Sequence, residues 1–263
     1  MGRMTGPTML QEILDHKVRE LEERRRARPL RALATAPLFA APRHDLAAAL
    51  AAPGRRIVAE VKRASPSRGR IREDFDAPAI AAAYEAAGAA AISVLTDERF
   101  FEGSLDYLEA IRRRVALPLL RKDFLFEPYH LYEARAAGAD GFLLIAAVLR
   151  VEVIRELVAL GREMEMTALV EVHTREQLAR ALDAGARLIG INNRDLDTFV
   201  TRLETGLELL AEVPPECTVV IESGLKTPAD LARFEAAGVR AFLIGEAFMA
   251  APDPGARLAE FLR

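Results

Sequence analysis

Eight short apolar runs, each followed by a helical pattern, and a fourfold Ala-Gly repeat set between them predict an α/β fold, a (β/α)8 TIM barrel with an N-terminal helical extension. The runs span 57–63, 90–96, 118–124, 141–148, 167–173, 188–193, 218–222 and 241–245. They are almost continuous in apolar residues, as parallel strands covered on both faces are. The repeat reads Ala86-Ala-Gly-Ala, Ala136-Ala-Gly-Ala, Asp183-Ala-Gly-Ala and Ala236-Ala-Gly-Val, and each copy leads into a strand-like run. Its glycines, Gly88, Gly138, Gly185 and Gly238, suit the left-handed position that ends a helix. They recur about every fifty residues, twice the length of one βα unit in such a barrel, so each interval holds two units. An open, doubly wound sheet is the alternative. The chain has no GxGxxG or Walker loop, which argues against it.

The elements follow in order. Thr8 can cap a first helix whose apolar face is Leu10, Ile13, Leu14, Val18 and Leu21. Lys17 on that helix reads as solvated charge, and Arg24-Arg25-Arg26 as a solvated helix end. Pro29 ends the helix, and a short one follows near 45–51. This apolar stripe is too small for a core of its own. Residues 1–54 therefore read as an extension packed on the barrel, 55–263 as the eight βα units, and 1–263 as one domain. Helix starts after the runs are marked by Pro78, Ser104, Pro128, Thr174, Thr227-Pro228 and Pro254.

Composition excludes several classes. The 263 residues are 51% hydrophobic and 29% charged, enough for one large core. A net charge of −3 creates no field that selects nucleic acid. No signal peptide opens the chain and no apolar stretch of about 18 residues crosses a membrane. Cys217 is the one cysteine, so no internal disulfide forms and a cytoplasmic location fits; its setting is that of a small buried or half-buried side chain and not of a nucleophile. His16, His44, His130 and His173 have no metal-ligand spacing.

Lysine usage points to chemistry. Of 36 basic residues only four are lysines, and two of them, Lys62 and Lys122, stand near the ends of apolar runs. A lysine can shift its pKa and release a proton where arginine cannot. Lys226, before a later helix, reads as a surface residue. Residues at the C-terminal ends of barrel strands face the active site. Those ends carry Glu60 and Lys62, two apart and so on one face, then Lys122, Glu171, Asn192 with Arg194, and Glu222 with Ser223. Mutual neutralisation of these charges is the bland reading; acid–base work in a cleft is the better one, since such neighbours push pKa values apart. Ser223-Gly224 after the seventh run and Gly245-Glu246 after the eighth occupy the usual phosphate place of this fold. The basic loop 63–72 can fold over an anion as a lid, with Ser65 at its start reaching the mouth. His173 reads as a neighbour of the site and not as its base.

At these residues the chain resembles indole-3-glycerol phosphate synthase over nearly its whole length. The carrying motifs are Ala59-Glu-Val-Lys-Arg-Ala-Ser-Pro-Ser67, Leu120-Arg-Lys-Asp-Phe124, Leu169-Val-Glu-Val-His173, Gly190-Ile-Asn-Asn-Arg-Asp-Leu196 and Ile221-Glu-Ser-Gly224. One departure is Glu246, where many members carry serine or another small residue; only its backbone amide need touch phosphate. The resemblance implies a decarboxylating, dehydrating ring closure of 1-(2-carboxyphenylamino)-1-deoxyribulose 5-phosphate in tryptophan biosynthesis, a lyase reaction with no cofactor and no metal. It implies Lys122 as the acid, Glu171 as the base, Lys62 holding anions or serving as the acid of the second step, with Glu60 tuning it, and Glu222 and Asn192 polarising the reacting groups. Ser65, Arg194 and Ser223 then bind substrate, and Gly224, Gly245 and Glu246 bind phosphate through the backbone. The expected partner is a small phosphorylated substrate, with no nucleic acid or membrane, in a monomer or weak homodimer. The rivals are a phosphate-binding barrel isomerase or aldolase, marked by a Schiff base on Lys62 or Lys122, and a non-catalytic barrel that binds a phosphorylated ligand.

Overall fold

The structure, a computed structural model, describes residues 8–195 and 198–263; Leu196, the last residue of the fourth motif, lies outside them. Eight parallel strands close a barrel: β1 (Arg56–Val61), β2 (Ala91–Leu95), β3 (Leu119–Lys122), β4 (Gly141–Ile145), β5 (Thr167–Val172), β6 (Leu188–Asn192), β7 (Thr218–Glu222) and β8 (Ala241–Ile244). Each pairs with the next in the chain, and β1 closes on β8 with Arg56 opposite Ala241 and Ala59 opposite Ile244. Several apolar runs outlast their strands: the run at 118–124 yields a strand ending at Lys122, and that at 141–148 one ending at Ile145. The surplus residues turn out of the sheet at its C-terminal rim, where loop residues enter the cavity.

Helix punctuation follows side-chain chemistry. Asp76, Ser104, Thr174 and Asp253 each accept a backbone N–H of the first turn, and Thr227 forms a reciprocal capping box with Asp230. Gly88, Gly138, Gly185 and Gly238 have φ of 95°, 88°, 85° and 91°, the left-handed region that a side chain rarely tolerates.

Period-two alternation then sorts the strands into layers. Ile57, Ala59 and Val61 of β1 face the helices, as do Ile92, Val94, Ile189, Ile191 and Ile221. Val58, Leu120, Leu143, Leu169, Leu188, Val220 and Leu243 fill the barrel interior. Two residues further along four of these strands stand Glu60, Lys122, Glu171 and Glu222, and Asn192 stands four beyond Leu188, past Gly190, so an apolar plug carries a polar floor above it.

The extension splits between the two ends. Helix α3 (Leu46–Ala51) buries Leu46 and Leu50 in the interior cluster and stoppers the barrel. Helix α2 (Leu30–Ala34) and helix α1 (Met9–Ala27) bury Leu33 and Leu21 beside Tyr129 and Ala136 of the helix at 128–136. Thr8 caps α1 as its hydroxyl accepts from Gln11 N–H. Among the described residues, no helix is long and apolar enough to cross a membrane.

The polar face of α1 is engaged and not solvated as its periodicity suggests. Lys17 is 2% exposed and not solvated. Its Nζ lies 2.8 Å from Asp123, 3.2 Å from Asp97 and 3.0 Å from Glu20. Arg24 is likewise engaged, with Glu20, Glu98 and Glu133, and Arg25 pairs with Glu127, while Arg26 stays exposed. The face of α1 read as polar lies on acidic residues contributed by the β2 and β3 ends.

Candidate active site

A cavity of about 710 Å³ opens at the C-terminal ends of the strands. It is lined by every one of the twelve residues singled out from the sequence: Glu60, Lys62, Ser65, Lys122, Glu171, Asn192, Arg194, Glu222, Ser223, Gly224, Gly245 and Glu246. Lys226 also reaches its rim and is exposed, as expected of a surface residue. Phe101, Phe124, Leu143 and Ile145 give the cavity an apolar wall.

Two ionic clusters form the floor. Lys62 Nζ sits 2.6 Å from Glu60 Oε2. Lys122 Nζ sits 3.6 Å from Glu171 Oε2 and 3.6 Å from Glu222 Oε2. All three glutamates are buried, and burial alone would push each carboxyl up. For Glu60 the charges of Lys62 and Lys122 outweigh burial and hold it below the usual carboxylate range. For Glu171 the charges of Lys122 and His173 and a hydrogen bond from Asn192 do the same. Glu222 lacks that compensation: burial and the neighbouring Glu171 charge push it up to about 8. Of the coupled Glu171–Glu222 pair, Glu222 is thus the member that its surroundings push toward the protonated form. Lys122 is half-buried, with its side chain 16% exposed; burial lowers its pKa, but Glu171, Glu222 and Glu60 raise it above the ordinary lysine value, so it is an ammonium. A proton donor, a proton acceptor and a neutral carboxyl thus share one floor.

The supporting contacts are local. The Asn192 carbonyl oxygen accepts from Arg194 N–H at 2.9 Å, which orients the amide. His173 Nε2 lies 3.5 Å from Glu171 Oε1, and His173 is a neighbour of the cavity, not part of its lining. Ser223 and Gly224 both have positive φ, 63° and 80°. Such backbone in a non-glycine residue is held only where its surroundings impose it, commonly at a site. Ser223 C=O accepts from Asn193 Nδ2 at 3.0 Å, which helps hold the turn. In the β1 loop, residues 64–65 and 69–70 pair as a small antiparallel ribbon with Ser65 buried. The loop is tied down by Arg63 and Arg70 to Glu102, and by Arg72 to the carbonyls of Ala251 and Pro252.

Sequence reasoning missed two features. The first is room made by glycine. A Cβ on Gly190 would stand 2.3 Å from Glu222 Oε1, and one on Gly245 would stand 2.2 Å from Glu60 Oε2. Gly245 serves Glu60 as well as any ligand, and Gly190 lets Glu222 lie across β6. Glycine inside a strand was the available signal, because it often marks such close approach. The second is a buried ionic network behind Lys122. Arg121 donates to Thr96 Oγ1 at 3.1 Å, His130 C=O at 2.8 Å, Asp123 at 3.2 Å and Glu133 at 3.3 Å. Thr96 donates to Asp123 at 2.6 Å, and Lys17 completes the set. Strand parity could have found it: with Lys122 facing inward, Arg121 and Asp123 face outward.

A family model described as indole-3-glycerol phosphate synthase matches residues 10–261. Proteins of that name are similar in Albidiferax ferrireducens (52% identity over 204 residues, 78% of this chain and 77% of that protein), Acidithiobacillus ferrooxidans (48% over 251 residues, 94% and 95%) and Dehalococcoides mccartyi (48% over 258 residues, 97% and 100%). Among solved structures, 3-hexulose-6-phosphate synthase from Salmonella typhimurium superposes with a TM-score of 0.61 at 12% identity, covering 78% of this chain and 96% of that one. Thiamine phosphate pyrophosphorylase from Pyrococcus furiosus gives 0.58 at 19%, covering 78% and 93%. At such identities these two likenesses speak to the fold alone.

Proposed function

The chain belongs to the indole-3-glycerol phosphate synthase family, and on that premise we propose how its barrel mouth performs the ring closure, a carboxy-lyase step of tryptophan biosynthesis. The substrate is 1-(2-carboxyphenylamino)-1-deoxyribulose 5-phosphate. The aryl carbon bearing the carboxylate attacks the sugar C2 carbonyl. Carbon dioxide leaves and restores the ring, and the former carbonyl oxygen departs as water while a proton leaves C1. Atoms balance with one carbon dioxide and one water lost.

The observation that carries this reading is Lys122 Nζ standing 3.6 Å from both Glu171 and Glu222. Lys122 protonates the carbonyl oxygen as C–C bonding makes it an alkoxide. Glu171, kept ionised, takes the C1 proton during dehydration. Glu222, kept neutral, donates a hydrogen bond to the departing hydroxyl, and Asn192 orients the amine. Lys62, fixed by Glu60, holds the substrate's anionic groups with Arg194, Ser65 and Ser223. The phosphate rests on the backbone of Gly224, Gly245 and Glu246. Phe101, Phe124 and Ile145 take the aryl ring, and the dry wall favours loss of carbon dioxide over return of the carboxylate to water. The extension and the barrel work as one domain, with α3 as its stopper and Lys17 as its clamp. The single cysteine supports a cytoplasmic location, and a site complete within one chain supports a monomer or weak homodimer.

The test uses a gift of composition. The protein has no tryptophan, so indole-type emission that grows during incubation with the substrate comes from product. Flat emission from folded protein would exclude the reaction. A second expectation concerns pH. Because Glu222 is neutral up to about 8, kcat is expected to fall as pH rises through that value. Glu222→Gln, a fixed mimic of the neutral carboxyl, is expected to keep most activity at pH 7 and to lose the alkaline limb. Retention of that limb in the variant would assign it to another group.

A further inference from the structure

We propose that Glu246 is a built-in competitor of the substrate phosphate for Arg68 and Arg194, and so sets the affinity of the site for phosphate-bearing ligands. The inference rests on reading the Gly224–Gly245 corner as the phosphate site. Glu246 directly follows Gly245, and one of its carboxylate oxygens lies 2.6 Å from Arg68 Nη2. The other lies 3.3 Å from Arg194 Nη2. Arg194 also donates to Ser67 Oγ at 3.3 Å and to Thr201 Oγ1 at 3.3 Å. One carboxylate thus ties together the β1 loop, the β6 loop and the β8 turn.

All of these residues line the cavity together with Ser223 and Gly224. Two guanidinium groups converging on a pair of carboxylate oxygens form a fork that fits phosphate oxygens equally well. The groups are within reach of an incoming anion, since the side chains of Glu246 and Arg194 are 26% and 24% exposed and that of Arg68 is 59% exposed. A phosphate dianion entering this corner meets a carboxylate of its own sign, held on the cations it needs. It must displace Glu246 and take over one or both arginines. Arg68 and Arg194 hold the Glu246 carboxyl below its ordinary value against the effect of partial burial, so the competitor is charged at neutral pH.

The opposite role is equally concrete. If Glu246 served only to shape the β1 loop for ligand, removing its charge would weaken binding. Competition predicts the reverse sign. The experiment is calorimetric titration of the full chain with inorganic phosphate at low ionic strength, where such contacts are least screened. Glu246→Gln keeps the size of the side chain and removes the charge. It is expected to bind phosphate about fivefold more tightly than the parent, an effect at the upper end for partly exposed ion pairs. Adding Arg68→Gln to that variant is expected to return most of the gain, because Arg68 is one of the freed ligands. The KM for the phosphorylated substrate is expected to fall in the single variant. Binding by Glu246→Gln that equals or is weaker than that of the parent overturns the competitor role while leaving the phosphate corner standing. Binding to neither protein overturns the corner itself.

Discussion

Lys122→Ala is expected to lower kcat by about 10³-fold or more, with a much smaller change in KM. General acid catalysis alone contributes on the order of 10²–10⁴-fold. This lysine also neutralises a buried carboxylate pair, lying 3.6 Å from each member. Without it, Glu171 loses the main charge that keeps it ionised, so the base is impaired together with the acid. Lys62 occupies a different position, bound to Glu60 at 2.6 Å. Lys62→Ala is expected to raise KM more than it lowers kcat, because an anion ligand is lost and the donor is kept. Steady-state product fluorescence decides between the two lysines. A Lys122→Ala enzyme within tenfold of the parent would move the acid role to Lys62.

Lys17→Met is expected to destabilise the fold by about 3–5 kcal/mol, the usual cost of leaving buried charge without its partner. Lys17 is 2% exposed and touches Asp97 and Asp123, both buried. Asp123 retains Arg121 and Thr96 after the change, but Asp97 keeps little beyond the Phe100 N–H. In thermal melts followed by circular dichroism the midpoint is expected to drop by about 10 °C. The pH dependence has a definite sign. Asp123 is depressed in the folded protein, mainly by Lys17 and Arg121 against burial. Its contribution is therefore present above the unfolded carboxylate value and lost as pH falls through the folded one. Lys17 is raised by its carboxylates, against burial. Its contribution is present at neutral pH and lost only on strong alkalinisation. In the variant both aspartates bind protons more readily. The stability gap from the parent is then expected to narrow as pH falls from 7 toward about 4. A loss under about 1 kcal/mol at pH 7 would return Lys17 to the solvated role that helix periodicity suggests.

The barrel and most of its site were legible in the sequence. Parallel strands covered on both faces leave near-continuous apolar runs, and helix ends that need positive φ leave glycines at regular spacing. Once a barrel is given, strand ends must converge on one mouth, so Glu60, Lys122, Glu171, Asn192 and Glu222 could be grouped without coordinates. Their convergence depends on chain order and strand parity alone.

What the tertiary structure decided are properties that depend on who faces whom. Glu171 and Glu222 are the same residue type at the same depth, yet their surroundings push one toward the anion and the other toward the neutral carboxyl. The difference lies in their neighbours: His173 and Asn192 serve Glu171, while Glu222 faces Glu171 itself. Lys17 was misread because helix periodicity ranks faces by hydrophobicity. It cannot see that the face opposite carries Asp97 and Asp123, brought from two distant strand ends. Glu246 was legible only as a backbone phosphate contact at a position where a small residue is usual, since the meaning of its side chain lies in Arg68 and Arg194, which reach it from two other loops. Periodicity is a property of one segment and survives in the sequence. Electrostatic partnership belongs to pairs of segments, and only folding brings those pairs together.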